Sequence, residues 1–256
     1  MFDGESSLSY GLMLYDIDGN GQDDIAFGNK ASIVETRTYG RVQPLHFGVN
    51  YHSSPLKFPI VFGADHPLDR HEMELIALWL TGRQKYTWLS ICQPDLAHVQ
   101  FRCLITELKP ISVGWLPYAM EANVVCDCPY AYGHYFEREY QISGETSVLF
   151  RNEGSVREYF KPEIEYHTED GVTSVSIVNR DDGGREFRIE GLPSSAVLYV
   201  DNTNGIIRCD GVAGSVNVYD GFNLNFLRFV HGDNHLIING DGRLIIRGRF
   251  LHNVAG

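Results

Sequence analysis

The sequence predicts an all-β protein with one helix, built as an N-terminal β-barrel or sandwich followed by a C-terminal antiparallel β-sandwich. Three observations carry this. Short β-branched and aromatic runs bounded by Gly, Asp and Asn recur along most of the chain; one stretch alone has helical period; and strand spacing becomes regular after residue 140.

In the first half, Leu56–Phe62, Val99–Ile105 and Ala119–Cys128 read as strands. The last alternates, with Met120, Ala122, Val124, Cys126 and Cys128 on one face and Glu121, Asn123, Val125 and Asp127 on the other, as a half-buried strand requires. The helix is expected at about 69–81. Asp69 and Glu72 have capping-box spacing, and Met73, Ile76, Ala77 and Leu80 repeat at i, i+3, i+4 and i+7. Gly82 is expected to end it in the left-handed C′ conformation.

Beyond residue 140, strands are expected near 146–151, 162–167, 172–179, 185–190, 196–200, 205–209, 226–230, 235–239 and 243–250. Turns such as Asp170-Gly171, Gly183-Gly184, Asn204-Gly205 and Asp210-Gly211 separate them, the pattern of an antiparallel sandwich. The polar stretch around Tyr132–Tyr140 marks a boundary, giving domains 1–137 and 138–256. Neither is a basic tail: 10 basic residues face 17 acidic ones before residue 140, and 11 face 16 after it.

Composition narrows the function classes. The 256 residues are 43% hydrophobic, enough for a real core, and the net charge of −12 repels nucleic-acid phosphates and anionic membranes. Neither sequence-specific nucleic acid nor a membrane is expected as a partner. The five cysteines, an odd number irregularly spaced, suit a reducing cytosol better than a disulfide framework. The acidic N-terminus has no signal-peptide layout, and no apolar run approaches the ~20 residues of a membrane span, so the chain is expected to be soluble and unprocessed.

Asp16, Asp18, Asn20 and Asp24, with Gly21 at position 6, follow the spacing of a Ca²⁺-binding loop. Position 12, where a bidentate carboxylate belongs, is Phe27, so a tight Asp/Gly turn is the favoured reading and bound Ca²⁺ the other. Cys126 and Cys128, with Cys92 and Cys103, lack zinc-knuckle spacing and read as small buried hydrophobes. His231 and His235 flank a turn, and His66 and His71 lack metalloprotease spacing. Phosphate-loop, dinucleotide and nucleophile-elbow motifs are absent; Ser54 and Lys57 match only a bare S-x-x-K string. No catalytic, cofactor or metal residues are therefore assigned, and no enzyme is expected. Trp79, Trp88 and Trp115 all lie in the first half, so a sugar-binding second half would have to rely on tyrosines such as Tyr159, Tyr166, Tyr199 and Tyr219.

The opening Phe2-Asp-Gly-Glu-Ser-Ser-Leu-Ser-Tyr-Gly-Leu12 resembles the start of distal tail proteins (Dit) from siphophages, long-tailed phages, and their prophages. So do Phe58–Gly63, Ile76–Leu80, Phe101–Cys103, Cys126–Gly133, Asn152–Gly154 with Pro162–Glu165, and Gly232–Ile238, in order along nearly the whole chain. This resemblance implies a ring-forming N-terminal β-barrel and a galectin-like C-terminal sandwich. It implies a structural virion protein: a hexameric ring, single or stacked in two, at the distal end of a non-contractile tail. Such a ring joins the tail tube to the tip or baseplate hub, meets the tail hub and tape measure proteins, and often anchors receptor-binding proteins. Synthesis in the host cytoplasm is implied too. A ring of acidic subunits also suits a channel through which DNA slides without sticking. The alternative reading is a carbohydrate-binding module acting in host-surface adhesion.

Overall fold

The computed structural model describes residues 1–16, 30–52, 55–211 and 214–254. The chain divides into two compact units, Met1–Tyr132 with the last residues from Asn253, and Gly133–His252. The second unit thus begins at Gly133, a few residues before the position suggested by the polar stretch. Of the Asp16–Asp24 loop, everything after Asp16 lies outside the described residues.

The first unit opens on a tight hairpin in which Phe2 and Glu5 exchange both backbone hydrogen bonds, at 2.8 and 3.0 Å. Its two central residues, Asp3 and Gly4, have φ of 52° and 81°, as an Asp-Gly turn of this kind demands. The strands are β1 (Met13–Asp16), β2 (Lys30–Thr36), β3 (Leu45–His52) and β4 (Lys57–Gly63), then, after the helix α1 (Arg70–Thr81), β5 (Thr87–Leu89), β6 (Val99–Val113) and β7 (Leu116–Cys126). The short β8 (Ala131–Gly133) follows. Antiparallel ladders run β1-β4-β7-β6, with β5 also on β6, while β2 and β3 form a separate two-stranded ribbon.

Helix α1 starts as predicted. Asp69 Oδ1 accepts from Glu72 N at 2.8 Å and Glu72 Oε2 accepts from Asp69 N at 2.8 Å, a complete capping box. Ile76, Trp79 and Leu80 are buried against the sheet, each such side chain contributing about 1.5–3 kcal/mol. The expected left-handed Gly82 is corrected, for its φ is −73°. Glycine is needed there for closeness instead, since a Cβ would sit 2.5 Å from the Leu78 carbonyl oxygen. Trp79 Nε1 donates to Phe2 O at 3.3 Å, and Tyr10 stacks on Trp79 at 4.5 Å, tying the N-terminal segment to the helix.

The first unit is not a barrel within one chain. Among the described residues its sheet stays open, because β6 and β7 run on past it and the β2–β3 ribbon pairs only with itself.

The second unit contains β9 (Phe136–Ile142), β10 (Glu145–Asn152), β11 (Glu163–Thr168), β12 (Ser174–Asn179), β13 (Arg185–Glu190), β14 (Val197–Asp201), β15 (Ile206–Gly211), β16 (Gly214–Val216), β17 (Gly232–Asn239), β18 (Gly242–Gly248) and β19 (Leu251–His252). Four strands run β10-β17-β12-β13 and six run β16-β15-β14-β11-β18-β9, all antiparallel. Alternate residues of both sheets meet in one core, including Phe150, Ile177 and Leu236 from the first and Tyr166, Leu198 and Ile246 from the second. The sandwich is therefore as predicted, with two corrections. Residues 226–230 make only a single bridge, Phe160 to Phe229, because Leu227 and Phe229 plug the core as an irregular segment. The polar stretch Phe136–Ile142 is a strand, its charged residues forming an outer row against β18.

Candidate assembly surface

The ribbon of β2 and β3 exposes both its faces. Successive strand residues point to opposite sides, yet Ile33 and Val34 are 64% and 38% exposed, and Phe47 is 67% exposed. At its turn, Tyr39 and Val42 are wholly in water beside Arg37, whose Nε lies 3.4 Å from Glu35 Oε1. Among the described residues its outer edges pair with no other strand, and a two-stranded ribbon with exposed apolar side chains is marginal in water.

The β6–β7 hairpin is half core and half arm. Val99, Phe101, Cys103 and Ile105 alternate inward with Val124 and Cys126; beyond them Leu108 still packs on the core, and from Lys109 outward the strand faces solvent. The turn is Gly114-Trp115, with φ of 60° and 73°, the left-handed pair that joins strands through two residues. Trp115 is 98% exposed at the tip, with Val113 and Leu116 beside it. Sequence reading stopped the strand at Ile105, since Thr106–Val113 has charges and a proline where a core-facing alternation would be apolar. The exposed Gly-Trp pair was the available signal. On α1, Leu75 and Leu78 add a third exposed apolar spot three residues apart.

Near the start of α1, His66 lies 2.9 Å from Asp65 and 3.0 Å from Glu72. Hydrogen bonds to these two carboxylates raise its pKa to about 8.

Cys92, expected as a small buried hydrophobe, is exposed, while the other candidate chemical residues, among those described, have structural roles. Cys103 and Cys126 are fully buried and directly opposed across β6 and β7, and Cys128 is half-buried with its Sγ 3.2 Å from Tyr130 O. Burial pushes Cys103 up to about 12 and raises Cys126 and Cys128, so these thiols stay protonated near neutrality. His235 Nδ1 lies 3.0 Å from Asp181. Among the described residues, no three His, Cys, Asp or Glu converge as metal ligands. Of the tyrosines, Tyr166 is fully buried, Tyr159 holds the Arg228 guanidinium 4.0 Å above its ring, and Tyr219 Oη accepts from Ile207 N at 3.1 Å. Trp79 is core, while Trp88 packs edge-on to Tyr132 at 5.3 Å.

Residues 1–128 match the family described as phage tail protein N-terminal domain, and residues 130–247 match the phage tail C-terminal domain. The crystal structure of the Dit protein of phage SPP1, titled a paradigm of hub adsorption apparatus in Gram-positive-infecting phages, is similar over 98% of both chains, with 11% identity and a TM-score of 0.69. A chain of the phage p2 baseplate in its activated, Ca-containing conformation is similar over 94% of this chain and 90% of that one, with 9% identity and a TM-score of 0.50. The Sr-containing form gives 93% and 90%, 9% identity and 0.51. No curated protein sequence matches significantly. The resemblance to distal tail proteins read from the sequence is thereby borne out at the level of family and fold.

Proposed function

We propose that this chain, which belongs to the phage tail protein family, forms a hexameric ring at the distal end of a long non-contractile tail. The ring joins the tail tube to the tip or baseplate hub. Its partners are copies of itself, the tube, hub and tape measure proteins, and on its outside receptor-binding proteins. It is made in the host cytoplasm, works in the virion, and performs no catalysis.

The observation that supports this best is the apolar ribbon and arm of the first unit. Ile33, Val34, Phe47 and Trp115 lie in water in the single chain, and heterologous contacts repeated around a closed ring would cover them. The edges of the β2–β3 ribbon, which pair with no other strand among the described residues, would be satisfied at the same time. The carbohydrate-binding alternative draws less support from the second unit's tyrosines, since Tyr166 is buried and the Tyr159 ring carries the Arg228 guanidinium.

Light scattering behind a sizing column, across concentration, tests the ring directly. Six times 28.9 kDa, or twelve times for two stacked rings, is the expected mass. A persistent 28.9 kDa species at high concentration would count against self-assembly without other tail components.

A further inference from the structure

At the base of the β6–β7 arm, strand register sets two thiols face to face. Cys103 pairs with Cys126, and both are free and fully buried in the core of the first unit. Antiparallel partners alternate between two kinds of pair, and the backbone hydrogen bonds show which kind this is. Asp127 N donates to Arg102 O at 2.9 Å, one step along from the cysteines, while Cys126 N turns the other way and donates to Leu56 O at 2.9 Å. Cys103 and Cys126 are therefore a non-hydrogen-bonded pair, in which the Cα atoms stand about 4.5 Å apart and the side chains are closest. That separation falls inside the ~4.4–6.8 Å range over which a disulfide closes without backbone movement. The remaining thiols are placed differently. Cys128 Sγ points to Tyr130 O at 3.2 Å, Cys92 is exposed, and Cys209 lies in the core of the second unit.

We propose that Cys103 and Cys126 form a cross-strand disulfide by exchange with a low-molecular-weight disulfide, RSSR. In the first step the Cys103 thiolate attacks one sulfur of RSSR; the S–S bond breaks, Cys103 is joined to one RS group, and the other leaves as RS⁻ and takes up the proton that Cys103 lost. Cys126, deprotonated in turn, attacks the Cys103 sulfur and displaces the second RS group as RSH. Two protein thiols are oxidised, RSSR is reduced to two RSH, and no proton is gained or lost overall. Burial holds both thiols protonated, with Cys103 pushed up to about 12, so the exchange is slow and proceeds through local opening of the hairpin. The bond crosses the ladder on the core side of Lys109 and Glu121, beyond which the arm stands in solvent. It thus anchors the arm at its base. A chain assembled in a reducing cytosol keeps this pair as thiols and meets oxidising surroundings when the particle leaves the cell. That timing rests on the function proposed above, whereas the bond itself rests on the strand register alone.

The test is a thiol count on the full native chain, incubated with oxidised glutathione or with dithiothreitol at mildly alkaline pH, then denatured, alkylated with N-ethylmaleimide and weighed intact. The reduced chain should carry an adduct on each of its five cysteines, and the oxidised chain two fewer. A mixed disulfide at the exposed Cys92 registers separately, as added glutathione. Cleavage after Glu107, Glu121 and Asp127 separates Cys103, Cys126 and Cys128, so the linked fragments identify the pair. The melting midpoint of the first unit should rise by about 5–10 °C on oxidation. Cys103→Ala and Cys126→Ala should each abolish the linkage and the rise, while Cys209→Ala, in the second unit, should leave both unchanged. If one variant fails to fold, the other carries the comparison, and the linkage map of the parent chain depends on neither. The proposal is overturned if the oxidised chain forms no internal bond, or if the bond joins any other two cysteines. Light scattering reads the ring separately: a monomer that forms the bond leaves the disulfide standing, and a ring without it does not.

Discussion

In the second unit two sheets close over one core, and Phe150, Phe187 and Phe229 are almost wholly buried; in the first unit, Phe47, Val42 and Trp115 stand in water. The second also ties down its irregular segments with buried amides. Asn234, fully buried, accepts from Val230 N at 2.9 Å and from Asn179 Nδ2 at 2.9 Å, and donates to Val230 O and Gly232 O, each at 3.0 Å. Asn152 and Asn202 do the same for neighbouring segments. These buried amides satisfy one another and the backbone of the segments they hold, so the irregular parts of the sandwich are fixed from within. The first unit has a sound core around Phe62, Trp79 and Phe101 but an unfinished exterior. This difference is what supports the proposal that the first unit carries the assembly contacts.

Breaking the first unit's exterior should have the largest effect. Phe47→Asp together with Trp115→Asp is expected to abolish self-assembly at micromolar concentration, leaving a folded 28.9 kDa species by light scattering. The same pair with unchanged mass would remove the contrast between the units. Next, Asn234→Ala should destabilise the second unit by about 2–4 kcal/mol, because several buried groups lose their partner at once. Urea unfolding would show this as a lower midpoint for the sandwich, with assembly mass unaffected. Asp69→Ala, which removes the α1 cap, is expected to cost about 1 kcal/mol and to act on the first unit alone.

The smallest effect is a pH dependence. His66 has its pKa raised to about 8 by Asp65 and Glu72, so its contribution is fully present below the unfolded value near 6.5 and is lost as pH rises through about 8. Its exposed position keeps the effect slight. An NMR titration should show His66 with an elevated midpoint in the parent protein, falling toward the ordinary value in Glu72→Gln.

Much of this architecture was legible along the chain. The cap Asp69, the inward faces of Met120–Cys126, and the strands near 146–151, 163–167 and 185–190 follow from local period and turn chemistry, which act over a few residues. The misreadings share a cause. The segment 136–142 reads as part of a polar domain boundary because its charges face outward from a sheet edge, and 226–230 reads as a strand because its apolar residues are needed by the core whatever their backbone does. The outer half of the β6–β7 arm leaves no alternating signal because, beyond Leu108, β6 has no core to alternate against.

The sequence by itself determined an all-β chain in two parts with one capped helix, and its motifs pointed to the tail-protein family. Those properties reside in short-range patterns. Tertiary structure alone decided that the first sheet stays open, that a ribbon and an arm stand in solvent, and that Cys103 stands opposite Cys126. Such outcomes depend on register and on pairings between distant segments, which no local pattern encodes.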